Sequence, residues 1–538
     1  MSKNHHIITL GSIATSIALV SCNNAIEKKQ PNIICITCED ISPYLGVYGD
    51  SIANTPNLDK FAKNAIRLTQ MHTTIGVSAP SRFSLITGTY SSSMGANNMR
   101  TNGSRDQMPS DILGYDVVLP DGIKCFTEYL RQEGYYCTNN SKTDYQFESP
   151  LSAWDENGEK AHWKNRDKGQ PFFAIHNIFT THESQIWARA NKPLIINPDN
   201  ITPSPYFPNN ETVRRDMAIM YSNIHHMDKQ FQLLLDELKA EGELDNTIII
   251  FYSDNGGPLP RQKRQIYRSG TNVPFMISFP DGRNAGEIDE RLAMFIDIPA
   301  TILSLAGIEP PKHMNGKALF GEYASPIDRE YVYIARDRMD ECRDKQGGVA
   351  DKQFRYIKNY MPQNPGYLSV GYRLQMPLMR NLVELFEKGE LNDVQKRWFT
   401  SPRLEEEFYD DINDPHNINN LINNPAYISD IKRLRTEYNR WISEENSLWL
   451  LEEMNYRSKM LPNGDKLKLS NVKITISGSD AILSCKNPGA SIVYKINDDK
   501  NWSLYSKPIK NLKNGDQIQA VSTQVGYENS KPEILSII

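Results

Sequence analysis

Residues 77–88 read Val-Ser-Ala-Pro-Ser-Arg-Phe-Ser-Leu-Ile-Thr-Gly, and the run 83–87 within them predicts a helix. Pro80 suits the first position of that helix, because a proline there gives up no intrahelical hydrogen bond. Ser78 then lies just before a helix N-terminus, where free N–H groups favour an anion. Arg82 adds a planar set of donors that matches a tetrahedral oxyanion. The segment predicts a nucleophile, or its precursor, facing a phosphate or sulfate group; a capped surface helix with an unrelated arginine is the alternative.

Apolar runs alternate with helical segments between residues 31 and 325. The predicted strands are 32–37, 135–138, 171–179, 246–251 and 273–277, and the predicted helices begin at Pro56 and span 119–134 and 212–241. This alternation predicts an α/β domain with a large mixed, mostly parallel sheet sandwiched by helices.

Oxygen-bearing side chains follow two of the predicted strands. Glu39 and Asp40 come directly after the first strand, and Asp254 and Asn255 follow the run 246–251 closely. Open α/β sheets place their sites at the carboxyl ends of strands, so we expect these four residues to meet. Adjacent acids repel one another unless a cation lies between them, and this oxygen set suits Ca²⁺ better than zinc. The sequence therefore predicts a calcium site; a solvated acidic turn is the alternative.

Basic residues are expected at the same edge of the sheet. Lys142 follows the strand 135–138, His182 follows 171–179, and Lys263 lies in the loop before 273–277. Together with Arg82, the two lysines predict a pocket that holds a tetrahedral anion.

The pattern changes after Pro326. Residues 331–335 and 354–357 alternate like antiparallel strands, and helices follow, which predicts a smaller C-terminal α+β subdomain over 326–460. A last segment, 467–538, is rich in short strands and predicts a separate small β-sandwich. Between the two antiparallel strands lie Arg336, Arg338 and Asp340, which form either a surface ion-pair cluster or a grip on the hydroxyls or acid group of a sugar.

The N-terminus has the features of an export signal. A short charged region and an apolar run, 7–20, precede Ser21 and Cys22. This resembles the lipobox of bacterial lipoproteins, which predicts a signal peptide over 1–21, lipidation of Cys22, and an exported protein at the periplasm or outer-membrane surface. Contact with the membrane would be through the lipid anchor only. A net charge of −5, from 60 basic and 65 acidic residues, argues against a nucleic-acid partner.

From about residue 31 to 453 the chain resembles the type I, formylglycine-dependent sulfatases of the alkaline phosphatase superfamily. The motifs that carry the resemblance are Ser78-Ala79-Pro80-Ser81-Arg82 with Leu85-Ile86-Thr87-Gly88, then Glu39-Asp40, Ser253-Asp254-Asn255-Gly256, and Phe408-Tyr409-Asp410 with Asp414-Pro415-His416-Asn417. The resemblance implies an alkaline-phosphatase-like fold. The final β segment resembles small chitobiase-type or fibronectin-III-associated domains of bacterial carbohydrate enzymes.

The same resemblance implies a chemistry. Ser78 would be converted to formylglycine (3-oxoalanine) by an anaerobic sulfatase-maturating radical enzyme. One hydroxyl of the hydrated aldehyde would attack sulfur and the other would expel sulfate, with Ca²⁺ and Arg82 activating the nucleophile. His182 would be the general acid, and Lys142 and Lys263 would stabilise charge on the transferring group.

Two departures from the family pattern concern the substrate pocket. Many relatives carry Lys-x-His where this chain has Lys142-Thr143-Asp144, so Asp144, or another histidine, is expected to take over that role. Asn97 and Asn98 lie in a loop where relatives often place histidine near the substrate. Both differences predict substrate recognition specific to a subgroup.

The expected function is hydrolysis of a sulfated glycan, since lipid anchoring and the appended β domain favour a carbohydrate substrate. One alternative is a phosphodiesterase or phosphonate hydrolase of the same superfamily that uses unmodified Ser78. Another is a non-catalytic glycan-binding lipoprotein.

Overall fold

In a computed structural model of the protein, residues 30–103, 107–445 and 447–538 are described. An eight-stranded sheet lies at the centre, and its strands are β1 (Asn32–Cys38), β2 (Ile66–His72), β3 (Tyr136–Asn140), β4 (Glu156–Asn157), β5 (Phe172–Ile178), β6 (Thr247–Ser253), β7 (Asn272–Ser278) and β8 (Ile288–Met294). Their order is β4-β3-β5-β1-β6-β7-β2-β8. Strand β7 is antiparallel to both neighbours and the other pairs are parallel, which confirms the predicted mixed, mostly parallel sheet.

Helices cover both faces of this sheet because its central strand is apolar on both. Ile33 of β1 belongs to the same buried cluster as Phe83, whereas Ile34 belongs to the cluster of Phe231 on the opposite face. The helices are α1 (Pro56–Ala62), α2 (Ser78–Thr87), α3 (Phe126–Gln132), α4 (Ser184–Ala188), α5 (Glu211–Ala240), α6 (Arg268–Thr271) and α7 (Asp297–Leu305). Helices α2, α3 and α7 share the first face, and α1 and α5 share the second.

Two helix boundaries differ from the prediction. Helix α2 begins at Ser78 rather than after it, so Pro80 occupies the third helical position, where N–H groups still lack intrahelical acceptors. Helix α3 begins at Phe126, not at residue 119. The reason is a turn in which Ile123 N–H donates to Pro120 O at 3.1 Å and Gly122 takes the left-handed conformation, with φ of 88°.

A second, antiparallel sheet follows, as predicted. Its strands are β9 (Val332–Arg336), β10 (Gln346–Ala350), β11 (Phe354–Asn359) and β12 (Glu406–Asp410), in the order β12-β11-β10-β9. The helices of this part are α8 (Pro377–Glu387), α9 (Asp393–Lys396), α10 (Ile428–Glu445) and α11 (Glu453–Met460). Trp441 and Tyr438 of α10 share a buried cluster with Tyr356 of β11, so α10 covers this sheet.

The C-terminal segment forms small sheets around a core of its own. Its strands are β13 (Leu467–Lys468), β14 (Lys473–Ser477), β15 (Asp480–Ser484), β16 (Ser491–Ile496), β17 (Ser503–Leu504), β18 (Gln517–Thr523), β19 (Tyr527–Glu528) and β20 (Glu533–Ser536). Within the described ranges, no helix combines the length and the apolar character needed to cross a membrane. The predicted signal peptide and Cys22 lie outside the described residues.

Arg131 of α3 joins the domain of the eight-stranded sheet to the C-terminal segment 467–538. Its guanidinium is 2% exposed and donates to Asp155 Oδ1 at 2.8 Å, to Ser152 O at 2.6 Å and to Trp502 O at 2.6 Å. This side chain therefore ties α3 and the segment 152–155 to the C-terminal segment.

Replacing Arg131 with methionine is expected to destabilise the protein by about 3 kcal/mol, because Asp155 keeps a buried charge without its partner. Lys124→Met is the matched control: it removes a 2.8 Å bond to Ser491 at the same junction and should cost about 1 kcal/mol. Thermal denaturation of the full chain measures both. Equal shifts in Tm would contradict a special role for Arg131.

Candidate active site

The four predicted oxygen ligands meet at the carboxyl end of the central sheet. Cys38 of β1 is in register with Ser253 of β6, so the residues that follow these strands leave the sheet side by side. Glu39, Asp40, Asp254 and Asn255 are all fully buried. Asp40 N–H donates to Asp254 Oδ1 at 3.2 Å, and Asn255 Nδ2 donates to Asp40 Oδ1 at 2.9 Å.

Helix α2 points its first turn at this cluster. Ser78 is 1% exposed, and its hydroxyl donates to Asn255 Oδ1 at 3.0 Å. One turn later, Arg82 Nε donates to Asp254 Oδ2 at 2.9 Å and Nη1 donates to Asn177 Oδ1 at 2.7 Å. The structure thus places a hydroxyl beside the carboxylates, at the positive end of a ten-residue helix.

Two lysines neutralise the carboxylates. Lys142 Nζ lies 2.6 Å from Glu39 Oε2, and Lys263 Nζ lies 2.6 Å from Asp40 Oδ2. Glu183, which the sequence analysis did not single out, lies 3.4 Å from Lys263 Nζ and accepts from Arg264. Glu183 directly follows His182, but in sequence nothing distinguishes it from a surface acid.

The charges in the cluster are unevenly distributed. Burial raises the pKa of Glu39 and Asp40, opposed by Lys142 and Lys263 respectively and reinforced by Asp254. Burial acts on Asp254 too, but Arg82 and the two lysines outweigh it and hold the pKa of that carboxyl well below its usual range. The site therefore keeps Asp254 ionised and favours positive charge next to Glu39 and Asp40.

The residue types fit a hard divalent cation. Three buried carboxylates and one amide oxygen converge here, and the buried Glu39 Oε1 accepts no hydrogen bond. Within the described ranges, however, no three His, Cys, Asp or Glu side chains are close enough as they stand to enclose an ion. In this arrangement the lysine ammonium groups supply the positive charge that a cation would bring.

His182 lies at the rim of the same cluster, with Nε2 3.9 Å from Glu39 Oε2. Its Nδ1 accepts from Ser184 N–H at 3.3 Å, which places the proton of the neutral ring on Nε2, facing the site. Burial, aided by Lys263 and Lys142, lowers the pKa of His182 to about 2, so the ring is neutral in this state. The exposed ring of Phe179 stacks on it, with centroids 4.8 Å apart.

Asp144 lies next to Lys142, with Oδ2 3.8 Å from Nζ. Arg100 Nε lies 3.5 Å from Asp144 Oδ1. In the sequence, Arg100 is distinguished only as a basic residue in a polar loop, so its place beside Asp144 is not predicted. Asn97 and Asn98 are buried within the fold: Asn97 donates to Asp337 Oδ2 at 2.8 Å, and Asn98 bonds to Arg338 N–H and Tyr456. A role of these asparagines in substrate binding stays a prediction.

The segment around β9 is not a surface ion-pair cluster, because its charges are buried. Arg336 bonds to Asp344, and Arg338 bonds to Glu453 with its Nε at 2.7 Å. Asp340 Oδ2 lies 3.3 Å from Arg264 Nε. Of the three predicted sugar-binding residues, Asp340 is therefore tied to the Arg264–Glu183 pair beside Lys263, whereas Arg338 holds the start of α11.

Asp337 makes the stability of this region depend on pH. Burial, opposed by Lys345 and reinforced by Glu453, raises the pKa of Asp337 to about 7. The folded protein thus keeps a proton that the unfolded chain releases near about pH 4, so stability falls as pH rises through this window and levels off above about pH 7.

Asp337→Asn removes that penalty, since the amide mimics the protonated acid. Between about pH 5 and pH 8 the variant should gain about 2–3 kcal/mol relative to the unsubstituted protein. Paired Tm measurements at the two pH values test this. A difference in Tm that does not change with pH would contradict it.

Comparison with known proteins agrees with this geometry. The family model described as Sulfatase matches residues 31–308, and the model described as N-sulphoglucosamine sulphohydrolase, C-terminal, matches residues 261–369. An ulvan-active sulfatase of Formosa agariphila is 37% identical over 94% of this chain and 91% of its own length. The human N-sulphoglucosamine sulphohydrolase is 23% identical over 78% of this chain and 91% of its own length.

A solved structure shares the fold. The structure of BT4656 in complex with its substrate, D-glucosamine-2-N,6-O-disulfate, superposes with a TM-score of 0.55 at 18% identity, covering 79% of this chain and 100% of the other. The family model covers more than half of the chain, and the Formosa relative is similar over nearly all of it. The chain therefore belongs to the sulfatase family of the alkaline phosphatase superfamily and is a sulfuric ester hydrolase.

Proposed function

We propose that this sulfatase releases sulfate from a sulfated glycan, using a formylglycine made from Ser78 and a bound Ca²⁺. The observation that carries the proposal is the position of Ser78. It is the first residue of helix α2, and its hydroxyl lies 3.0 Å from Asn255 Oδ1, among the buried acids and the lysines. Conversion to formylglycine supplies a hydrated aldehyde, with one hydroxyl to attack sulfur and a second to release sulfate.

The proposed calcium ligands are Glu39, Asp40, Asp254 and Asn255. Their buried oxygens support this assignment, and Glu39 Oε1 accepts no hydrogen bond. A cation there supplies positive charge next to the position of the Ser78 side chain, which favours an ionised nucleophile.

The basic residues of the site orient the sulfate ester. Lys142 and Lys263 each contact a different carboxylate, so the two ammonium groups can donate to separate oxygens of a sulfate group. Arg82, held between Asp254 and Asn177, fixes the first turn of α2 against the cluster. These groups favour the charge that develops on the sulfuryl oxygens.

His182 is placed to protonate the leaving sugar oxygen. Ser184 N–H donates to His182 Nδ1, so Nε2 is the nitrogen that faces the site. Burial and, after it, the two lysines disfavour protonation of the free ring, and the negative charge of a bound ester would oppose the effect of the lysines. The proposed role requires the ring to be protonated in the substrate complex, so that its Nε2 proton can pass to the departing oxygen.

The names of the relatives and the rim of the site support a glycan substrate. The Formosa relative is named for activity on ulvan, and the BT4656 structure contains a disulfated glucosamine. In this chain, Phe179 is 49% exposed beside His182 and offers an aromatic ring to the apolar face of a sugar.

We also propose that the protein is an exported lipoprotein, anchored through Cys22 at the periplasm or outer-membrane surface and matured by an anaerobic radical enzyme. The support is the Ser21-Cys22 pair after an apolar run, together with a serine at position 78. Incorporation of labelled fatty acid that is lost in Cys22→Ala tests the anchor.

A panel of defined sulfated saccharides tests the function. Protein made with a maturating enzyme should release sulfate from ulvan oligosaccharides or from N- or O-sulfated hexosamines. Failure to release sulfate from any of them, combined with hydrolysis of phosphodiesters or phosphonates by protein with unmodified Ser78, would favour the phosphoesterase alternative instead.

A further inference from the structure

Lys142 lies between two carboxylates and is bonded to one of them. Its Nζ is 2.6 Å from Glu39 Oε2 and 3.8 Å from Asp144 Oδ2. Within the described part of the chain, these are the carboxylates within 4 Å of the Lys142 ammonium. The Lys142 ammonium therefore has a second possible acceptor, Asp144 Oδ2, close to the one that it now contacts.

Asp144 is arranged to receive a donor. Its Oδ2 is buried and accepts no hydrogen bond, whereas its Oδ1 faces Arg100 Nε at 3.5 Å. The residue has a left-handed backbone, with φ of 54°, which is uncommon for a side chain other than glycine. A buried carboxylate oxygen that accepts no hydrogen bond is unfavourable, and it is available as an acceptor in another state of the site.

The proposed calcium site supplies that other state. A cation that binds Glu39 through both carboxylate oxygens takes Oε2, which Lys142 now contacts, and two positive charges cannot share that oxygen at low cost. Lys142 must then move away from Glu39. Asp144 Oδ2 is an acceptor within its reach, and pairing there keeps the half-buried ammonium neutralised.

We propose that Asp144 is a positioning residue that receives the Lys142 ammonium when a divalent cation occupies Glu39. This inference rests on the calcium site of the proposed function. The exchange keeps Lys142 at the edge of the site, where it can donate to a sulfate oxygen. It lets the cation displace the half-buried lysine without leaving its charge unpaired. It also gives Asp144 a role that its short, acidic side chain performs and a neutral histidine would not.

A double-mutant cycle on calcium affinity tests the exchange. The full chain with unmodified Ser78 is titrated with Ca²⁺ by calorimetry, so neither maturation nor turnover is needed. Asp144→Asn should weaken calcium binding roughly tenfold, because Lys142 then has no second acceptor and stays on Glu39. In the Lys142→Met background the same substitution should change affinity by no more than about twofold, the effect of one lost charge nearby.

Two further variants separate positioning from general structure. Asp144→Glu keeps a carboxylate and should hold calcium affinity within about threefold of the unsubstituted protein. Asp116→Asn removes a carboxylate of similar exposure, 15% against 16%, that pairs with Lys466 outside the cluster, and should leave calcium affinity unchanged.

Equal weakening by Asp144→Asn in both backgrounds would overturn the exchange, since Asp144 would then act only as a nearby charge. Absence of any calcium binding would overturn it too. Sulfate release by the matured protein tests the proposed function separately. If sulfate is released but Asp144→Asn has the same effect on calcium affinity in both backgrounds, the exchange is rejected and the proposed function is retained.

Discussion

Ser78→Ala is expected to abolish sulfate release, by at least roughly 10⁴-fold, while the protein stays folded. The hydroxyl makes one side-chain hydrogen bond, to Asn255 Oδ1, so its loss should cost only about 1 kcal/mol of stability. Activity disappears because alanine offers no oxygen to convert and none to attack sulfur. Sulfate release from a saccharide, followed by ion chromatography, measures the loss.

Ser84→Ala is the matched control on the same helix. Ser84 is also fully buried and bonds to Thr74 and Ser91 rather than to the carboxylate cluster. It should lower Tm about as much as Ser78→Ala but leave activity within a few-fold, roughly the range of a small structural change. A Ser78→Ala protein that keeps more than about a hundredth of the activity would place the nucleophile elsewhere.

His182→Gln is expected to slow sulfate release from a glycan by roughly 10²–10⁴-fold. A sugar oxygen is a poor leaving group and needs the proton that Nε2 carries. An aryl sulfate leaves without that help, so the same variant should lose far less activity on 4-nitrophenyl sulfate. Comparing kcat/KM for the two substrates isolates proton donation from binding.

His226→Gln on α5 serves as the control, since this half-buried histidine is not in the cluster. Both substrates should be hydrolysed at normal rates by that variant. An equal loss on glycan and aryl sulfate in His182→Gln would contradict the general-acid role and point to a role in binding.

The sequence predicts five of the eight strands, β1, β3, β5, β6 and β7, because they are largely apolar runs followed by polar residues. Strands β2, β4 and β8 carry polar or exposed positions and are not predicted. The run 32–37 and the acids after it fall as expected, since Cys38 and Ser253 end in register. The start of α3 was missed for a local reason: Pro120 and Gly122 form a turn inside a run whose spacing still looks helical.

The sequence predicts most of the residues that form the site, but not which of them contact one another. Residue types at strand ends indicate a cation and a tetrahedral anion, yet which lysine faces which carboxylate depends on loops from distant parts of the chain. Lys142 and Glu39 are about a hundred positions apart, and Arg338 meets Glu453 across a similar span. No sequence pattern distinguishes Arg100 or Glu183, so their positions beside the carboxylate cluster become visible only in the fold.

Mass spectrometry of the tryptic peptide 68–82, taken from active protein, tests the central claim most directly. The account predicts a peptide lighter by two hydrogen atoms at Ser78, the mass of serine converted to formylglycine, with sulfate release rising in proportion to the converted fraction. Unmodified serine at position 78 in protein that releases sulfate at full rate would contradict it.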